Sequence, residues 1–198
     1  MIEPVAFHIF GLKVYWYGLV YTIGFLIGYY FIMHYSKHWK LDQDKKENIF
    51  LWFMINSLIG GRVFEILFYN LNYYLTYPIK IFYVWEGGMS IHGGIFFGFL
   101  TLYYFSKKYK IDLYKLTDLY VLPASVFLAF GKLANFVNQE LYGTTTNSKY
   151  GVVFSSVDNN LRHPVQIYDS IKNIIIFEIL YYSYVFKNLK PGIITGLF

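Results

Sequence analysis

Long apolar runs alternate along this chain with short basic or polar segments. A helix needs about 20 mostly apolar residues to cross the hydrocarbon core of a bilayer. Runs of that kind cover residues 14–35, 48–69, 116–137 and 164–186, with Pro123 interrupting the 116–137 run. Residues 91–106 form a shorter run, long enough to cross only if the segment before it dips into the membrane. Residues 83–90 are too short and too polar to span, and they read as a re-entrant or interfacial entry. Such backbone is tolerated at membrane depth only under protein cover or beside a wet cavity. A last run, 193–198, opens like another span and stops. The pattern predicts an all-α, polytopic membrane helix bundle with about five full spans, a truncated sixth and a re-entrant or interfacial segment near 83–92. No fixed-period repeat or low-complexity tract divides the chain, so residues 1–198 read as a single integral membrane domain, C-terminally truncated.

The connectors set the orientation. Lys37, Lys40, Lys45 and Lys46 follow the first run, Lys107, Lys108, Lys110 and Lys115 the third, and Lys187 and Lys190 the fifth. Basic loops stay on the cytoplasmic side, which places the N-terminus and the hydrophilic excursion 138–163 outside. Residues 1–13 lack the basic start and the small-residue cleavage site of a signal peptide, so the first run reads as a retained anchor.

Composition agrees with this layout. Of 198 residues 56% are hydrophobic and only 15% charged, against about 25% charged in soluble domains. The 22 tyrosines and 20 phenylalanines suit the headgroup level. A net charge of +5 favours an anionic bilayer surface, and with the lysines confined to short loops nucleic acid is not an expected partner. The chain has no cysteine, which excludes disulfides, thiolate metal sites and a cysteine nucleophile of its own. The histidines are scattered without carboxylates at ligand spacing, so neither a metal nor another cofactor is implied.

Polar groups stand where apolar residues would be cheaper in four clusters: Tyr15/Tyr17, Arg62/Glu65, Ser90/His92, and Lys132/Asn135/Asn138/Gln139/Glu140. In the last, Lys132, Asn135 and Gln139 follow i, i+3, i+7 and would share a helix face. The alternating topology brings all four clusters to the outer half of the bilayer. Each also has a plainer reading. Tyr15 and Tyr17 suit an interfacial aromatic belt, Arg62 and Glu65 stand three apart and can pair, Lys132 can snorkel, and Glu140 can be a solvated helix end. His92, between two Gly-Gly pairs and beside a lipid-buried segment, is costly to keep there and reads as functional. Cationic donors can hold a phosphate while a neutral histidine takes a proton from a nucleophile. An anion transporter would use the same groups, but would spread them through the membrane and often show inverted repeats.

Several segments together resemble the prolipoprotein diacylglyceryl transferase family. They are Tyr15-Trp16-Tyr17-Gly18-Leu19, Gly60-Gly61-Arg62 leading to Phe68-Tyr69-Asn70, and Trp85-Glu86-Gly87-Gly88-Met89-Ser90-Ile91-His92-Gly93-Gly94. Asn135-Phe136-Val137-Asn138-Gln139-Glu140-Leu141-Tyr142-Gly143 and His163-Pro164-Val165-Gln166-Ile167-Tyr168 continue the series in family order, which ends near Gly196-Leu197-Phe198. The resemblance implies a bacterial inner-membrane enzyme with seven spans and an outward N-terminus. Its reaction would move the diacylglyceryl group of phosphatidylglycerol onto the lipobox cysteine thiol at a prolipoprotein signal peptide. A thioether forms and glycerol phosphate leaves.

On that resemblance His92 acts on the thiol, and Tyr17, Asn135 and Glu140 complete the catalytic set. Arg62 and Lys132 hold the lipid headgroup, with Asn138, Gly143 and Ser90 also binding substrate. The chain departs from the family pattern at Lys132, where an arginine is usual, and at Thr144, where another arginine is usual. Lysine keeps the charge and loses the bidentate fork. Glu65 stands where an uncharged residue is expected, and the family's late arginine- and glutamate-bearing segment would fall beyond Phe198. An inactive family remnant is the alternative that these departures raise.

Overall fold

The chain opens with a β-hairpin that hydropathy did not predict. The computed structural model describes residues 5–36, 39, 41–84 and 87–198. Strands β1 (Val5–Ile9) and β2 (Leu12–Tyr15) pair antiparallel, Phe7 opposite Val14 and Ile9 opposite Leu12. Phe10 and Gly11 make the turn with φ of 48° and 80°. Two positive φ values in a two-residue loop give the twist that closes a tight hairpin. Tyr15 is thus the last strand residue, and the first helix begins one residue later.

That helix, α1 (Trp16–Tyr35), is followed by α2 (Gln43–Phe64), which runs on as a π turn over Glu65–Tyr69. Next come a short α3 (Leu71–Thr76), a 3-10 turn (Pro78–Phe82), α4 (Ile91–Tyr109) and α5 (Leu113–Val137). The excursion after α5 holds strands β3 (Val152–Val153) and β4 (Leu161–Arg162), then α6 (Val165–Phe186) and a short α7 (Ile193–Leu197) complete the order. Among the described residues, three helical stretches are long and apolar enough to cross a membrane: Trp16–Tyr35, Gln43–Tyr69 and Leu113–Val137. The last runs through Pro123 without a break. Large apolar side chains such as Leu26, Tyr30, Trp52, Phe96 and Ile175 point outward from the helices, as lipid-facing positions would. Of the segment expected to enter the membrane at 83–92, Trp85 and Glu86 lie outside the described residues, as do Lys37 and Lys40 of the first basic loop and residues 1–4.

Contacts divide the chain into two compact units, one of residues 1–27, 122–189 and 197–198, the other of residues 28–121 and 190–196. In the first, Gly24 lets the backbone of α1 meet the ring of Phe127 on α5, where a methyl would come within 2.9 Å of Cε2. Tyr21 and Phe25 close on the same ring at 5.0 and 5.8 Å between centroids. In the second, α2 and α4 pack through glycines. A methyl on Gly93 would stand 2.6 Å from Phe64 Cβ and 2.7 Å from the Gly60 carbonyl carbon. Dispersion contact of this closeness, with interhelical hydrogen bonds, is what holds helices together in lipid. Asn56 supplies such a bond, donating to the Thr101 hydroxyl at 2.8 Å. In the same unit the buried Asp118 carboxylate accepts from the Gly192 and Thr195 amides at 2.7 and 2.8 Å and caps the start of α7.

Candidate active site

One group of polar residues is assembled where α5 ends. Asn135 lies in its last turn, and the Tyr17 phenol, one residue into α1, reaches both Asn135 Oδ1 and Glu140 Oε2, the latter at 2.8 Å. A phenol has one proton. All three groups are satisfied when Tyr17 donates to the Glu140 carboxylate and the Asn135 amide turns an N–H toward the phenol oxygen. Asn138 adds an amide donor 3.4 Å from Glu140 Oε1.

The backbone here is unusual. Gln139 and Leu141 have φ of 59° and 52°, so Glu140 sits between two left-handed residues that carry side chains. Such conformations are disfavoured and persist where the surroundings impose them. The Glu140 amide donates to Asn135 O at 2.9 Å, and the Gln139 side chain accepts from the Ser156 amide and hydroxyl, each at 2.9 Å. Because α5 stops at Val137 and Gln139 turns left-handed, the helical spacing of Lys132, Asn135 and Gln139 does not give one shared face. Lys132 instead bonds Asp169 of α6 at 2.8 Å, and Lys172 bonds the other oxygen of that carboxylate at 2.7 Å.

The excursion is ordered by residues that periodicity does not reveal. Gly143 runs against His163, its amide 3.1 Å from the His163 carbonyl, and a methyl on Gly143 would stand 2.6 Å from that oxygen. Arg162 donates to the Gly143 carbonyl at 3.1 Å, pairs with Asp158 at 2.6 Å and lies 4.9 Å from the Tyr142 ring centroid. The Arg162 guanidinium, with the Asn160 amide behind it, holds the Asp158 carboxyl down to about 2. Phe154, buried against Phe136 and Tyr142, forms the apolar centre of this excursion. Gln166, in the first turn of α6, is fully buried and donates to the Glu140 carbonyl at 2.6 Å.

A second group belongs to the other unit. Arg62, 6% exposed, sits near the end of α2. Its Nε donates to Ile81 O at 2.9 Å, Nη1 to Gly87 O and Gly88 O at 2.7 and 2.9 Å, and Nη2 to Lys80 O and Tyr83 O at 2.5 and 3.2 Å. A guanidinium has five N–H donors, and all are directed at backbone carbonyls here. The Tyr74 ring lies 4.9 Å from Arg62 Cζ. Arg62 therefore ties residues 80–83 and 87–88 to α2, and Glu65 accepts from Asn70 at 2.6 Å in place of the pair that the spacing allows. Gly88 makes this possible with φ of 71°, and a methyl there would come within 2.9 Å of Arg62 Nη1. A polar cavity of about 270 Å³ opens beside it, lined by Arg62, Glu65, Asn70, Tyr74 and Lys80 among others. The π turn at Glu65–Tyr69 shapes its wall, and π turns inside helices recur at functional sites.

Ser90 precedes α4, its amide donating to the Gly61 carbonyl at 3.0 Å, while its buried hydroxyl has no partner among the described residues. His92 follows in the first turn of α4 and is exposed. An exposed imidazole at that place is open to a proton donor from outside the chain. Among the described residues no three His, Asp or Glu side chains gather as metal ligands would.

The family model for prolipoprotein diacylglyceryl transferase matches residues 4–198. A phosphatidylglycerol–prolipoprotein diacylglyceryl transferase of Ehrlichia ruminantium (strain Welgevonden) is 37% identical over 201 residues, covering 100% of this chain and 78% of that protein. The transferase of the same name from Rickettsia africae is 40% identical over 204 residues, again covering 100% of this chain and 78% of its own length. That from Rickettsia bellii (strain OSU 85-389) is 38% identical over 202 residues, 100% of this chain and 77% of the relative. With apolar helices of membrane-spanning length and a match to these transferases along its whole length, this chain belongs to the prolipoprotein diacylglyceryl transferase family.

Proposed function

We propose that this chain transfers the diacylglyceryl group of phosphatidylglycerol to the lipobox cysteine of a prolipoprotein. The relatives' names carry the two substrates. The observation in the structure that best supports chemistry at this place is the Tyr17 phenol bridging Asn135 and Glu140 across more than a hundred residues of sequence. A chain without cysteine is consistent with an acceptor that brings its own thiol.

The reaction breaks the bond between glyceryl carbon and phosphate oxygen and forms a carbon–sulfur bond. Glycerol phosphate carries away the electron pair of the broken bond. His92 takes the thiol proton, since the thiolate is the competent nucleophile. Lys132 faces the departing phosphate. Together with Lys172 it brings two ammonium groups to one Asp169 carboxylate, which leaves a net positive charge for an anionic headgroup. Tyr17, Asn135 and Glu140 fix a polar framework that changes little as charge develops, the arrangement by which preorganised dipoles lower a barrier. Asn138 and Gly143 hold the Glu140 turn and bind substrate beside it. Arg62 acts through its charge and through the segment it orders, and Ser90 sets the start of the His92 helix.

The chain lies in the bacterial inner membrane as one integral membrane domain with its N-terminus outside. Helices α1, α2, α4, α5 and α6 cross, residues 83–92 enter at the interface, and the lysine-rich connectors lie in the cytoplasm. The experiment is reconstitution of the full chain into vesicles with a lipobox peptide. Phosphatidylglycerol and a cysteine peptide give a diacylglyceryl adduct by mass. Exchange of that cysteine for serine, or of the lipid for phosphatidylethanolamine, abolishes it. An adduct on the serine peptide, or none with either peptide, rejects the proposal.

A further inference from the structure

We propose that Gln166 is a positioning residue for the transfer, holding the Glu140 carbonyl so that the Glu140 carboxylate stays on the Tyr17 phenol. The inference rests on the transfer reading above. Gln166 is 0% exposed, and its amide nitrogen lies 2.6 Å from the Glu140 carbonyl oxygen. That carbonyl belongs to the peptide plane joining Glu140 to Leu141. Rotation of this plane changes ψ of Glu140 and φ of Leu141 together, and the latter is held at 52°. The other ties reach neighbouring atoms: Asn135 O takes the Glu140 amide, Ser156 takes the Gln139 side chain, and the Gly143–His163 pairing begins two residues later. Among the described residues, Gln166 is the side chain that grips the plane itself.

Chemistry explains why an amide stands there. The Glu140 carbonyl needs a donor, which glutamate at neutral pH does not supply and an apolar side chain lacks. The other end of the amide, Oε1, is buried without a partner among the described residues. A half-satisfied buried amide is unfavourable compared with an apolar side chain of the same shape. The N–H on Glu140 is its compensating contact. Chain path supplies the reach: the Gly143–His163 pairing and the Pro164 that follows deliver Gln166 beneath the turn in the first turn of α6.

The test uses the full chain reconstituted with phosphatidylglycerol and lipobox peptide. Gln166→Met keeps length and removes the N–H. It is expected to lower kcat about three- to tenfold, the worth of one neutral hydrogen bond, with KM for the lipid unchanged. Amide exchange over residues 139–142 rises in the same variant, while residues 170–186 stay protected. On a Glu140→Ala background Gln166→Met has no further effect, because coupled residues are not additive. A second variant, Gln166→Glu, regains a donor when its carboxyl is protonated, so its activity relative to the unsubstituted chain rises as pH falls. Unchanged kcat and unchanged exchange in a folded Gln166→Met, or the same fold-loss on both backgrounds, overturns the proposal. Should that variant not fold, a Gln166→Glu ratio that is flat with pH overturns it. An unsubstituted chain that transfers nothing refutes the transfer reading, and the exchange measurement still decides whether Gln166 holds the turn.

Discussion

Replacing Tyr17 by phenylalanine removes one oxygen and leaves the ring. The ring stays against Tyr21, 6.3 Å between centroids, so α1 keeps its packing. What disappears is the donor to the Glu140 carboxylate at 2.8 Å and the contact with Asn135. A hydrogen bond to a charged group contributes about 1.5–3 kcal/mol. If the orientation of Glu140 is felt in the transition state, kcat falls by about 10- to 150-fold. Stability responds less, because Glu140 is exposed and water replaces the phenol. A net loss near 1 kcal/mol moves the melting temperature by about 2–4 °C in a chain of this size. The assay is steady-state transfer to a lipobox peptide beside a melting curve in the same detergent. Tyr21→Phe, one turn further along α1, is the control and keeps full activity. Tyr17→Phe with more than half the original kcat would refute the reasoning. So would a loss no larger than the loss of folded protein.

Other outcomes follow from the same geometry. Gly93→Ala drives a methyl into Phe64 and Gly60, and overpacking of this kind costs about 1–3 kcal/mol, seen as a lower melting temperature. Gly131→Ala has open space around it and holds or raises that temperature, since alanine favours a helix over glycine by about 1 kcal/mol. Lys132→Arg keeps the bond to Asp169 while its fork offers further donors, so it preserves or raises transfer and lowers KM for phosphatidylglycerol. A loss as deep as that of His92→Ala would contradict the phosphate-holding role. The carboxyl of Asp158 titrates at about 2 in the folded chain, below its ordinary value of about 4. Its pairing with Arg162 therefore stabilises the excursion fully above about pH 4 and fades as pH falls toward 2. Pepsin should cleave residues 143–163 of the unsubstituted chain increasingly fast over that window, measured relative to an Asp158→Asn variant that is already susceptible throughout.

The sequence made the long helices legible because lipid leaves little choice: an unbroken apolar run of span length has to satisfy its own backbone. Boundaries are less legible. The first apolar run takes in Tyr15, yet Val5, Phe7, Ile9, Leu12 and Val14 form a paired hairpin whose turn begins with phenylalanine at positive φ, a residue that signals no turn. Helical spacing suggested one face for Lys132, Asn135 and Gln139. It lost its meaning two residues past Val137, where the chain goes left-handed. Arg62 was visible as a charge in an apolar run, but the carbonyls of residues 80–88 that absorb its donors have no side-chain signature. What Asp158, Arg162 and Gln166 bind is hidden for a related reason. Their partners are backbone atoms, or residues of an irregular loop, which no periodicity connects.

In the proposed transfer one event consumes phosphatidylglycerol and a cysteine thiol together and requires His92 and Tyr17. The direct measurement counts both products in a single reaction: glycerol phosphate released and thioether formed, for the unsubstituted chain, His92→Ala and Tyr17→Phe. Equal amounts from the unsubstituted chain, with both products falling in step in the two variants, is the predicted result. Glycerol phosphate released without thioether, or thioether formed undiminished by both variants, would contradict it.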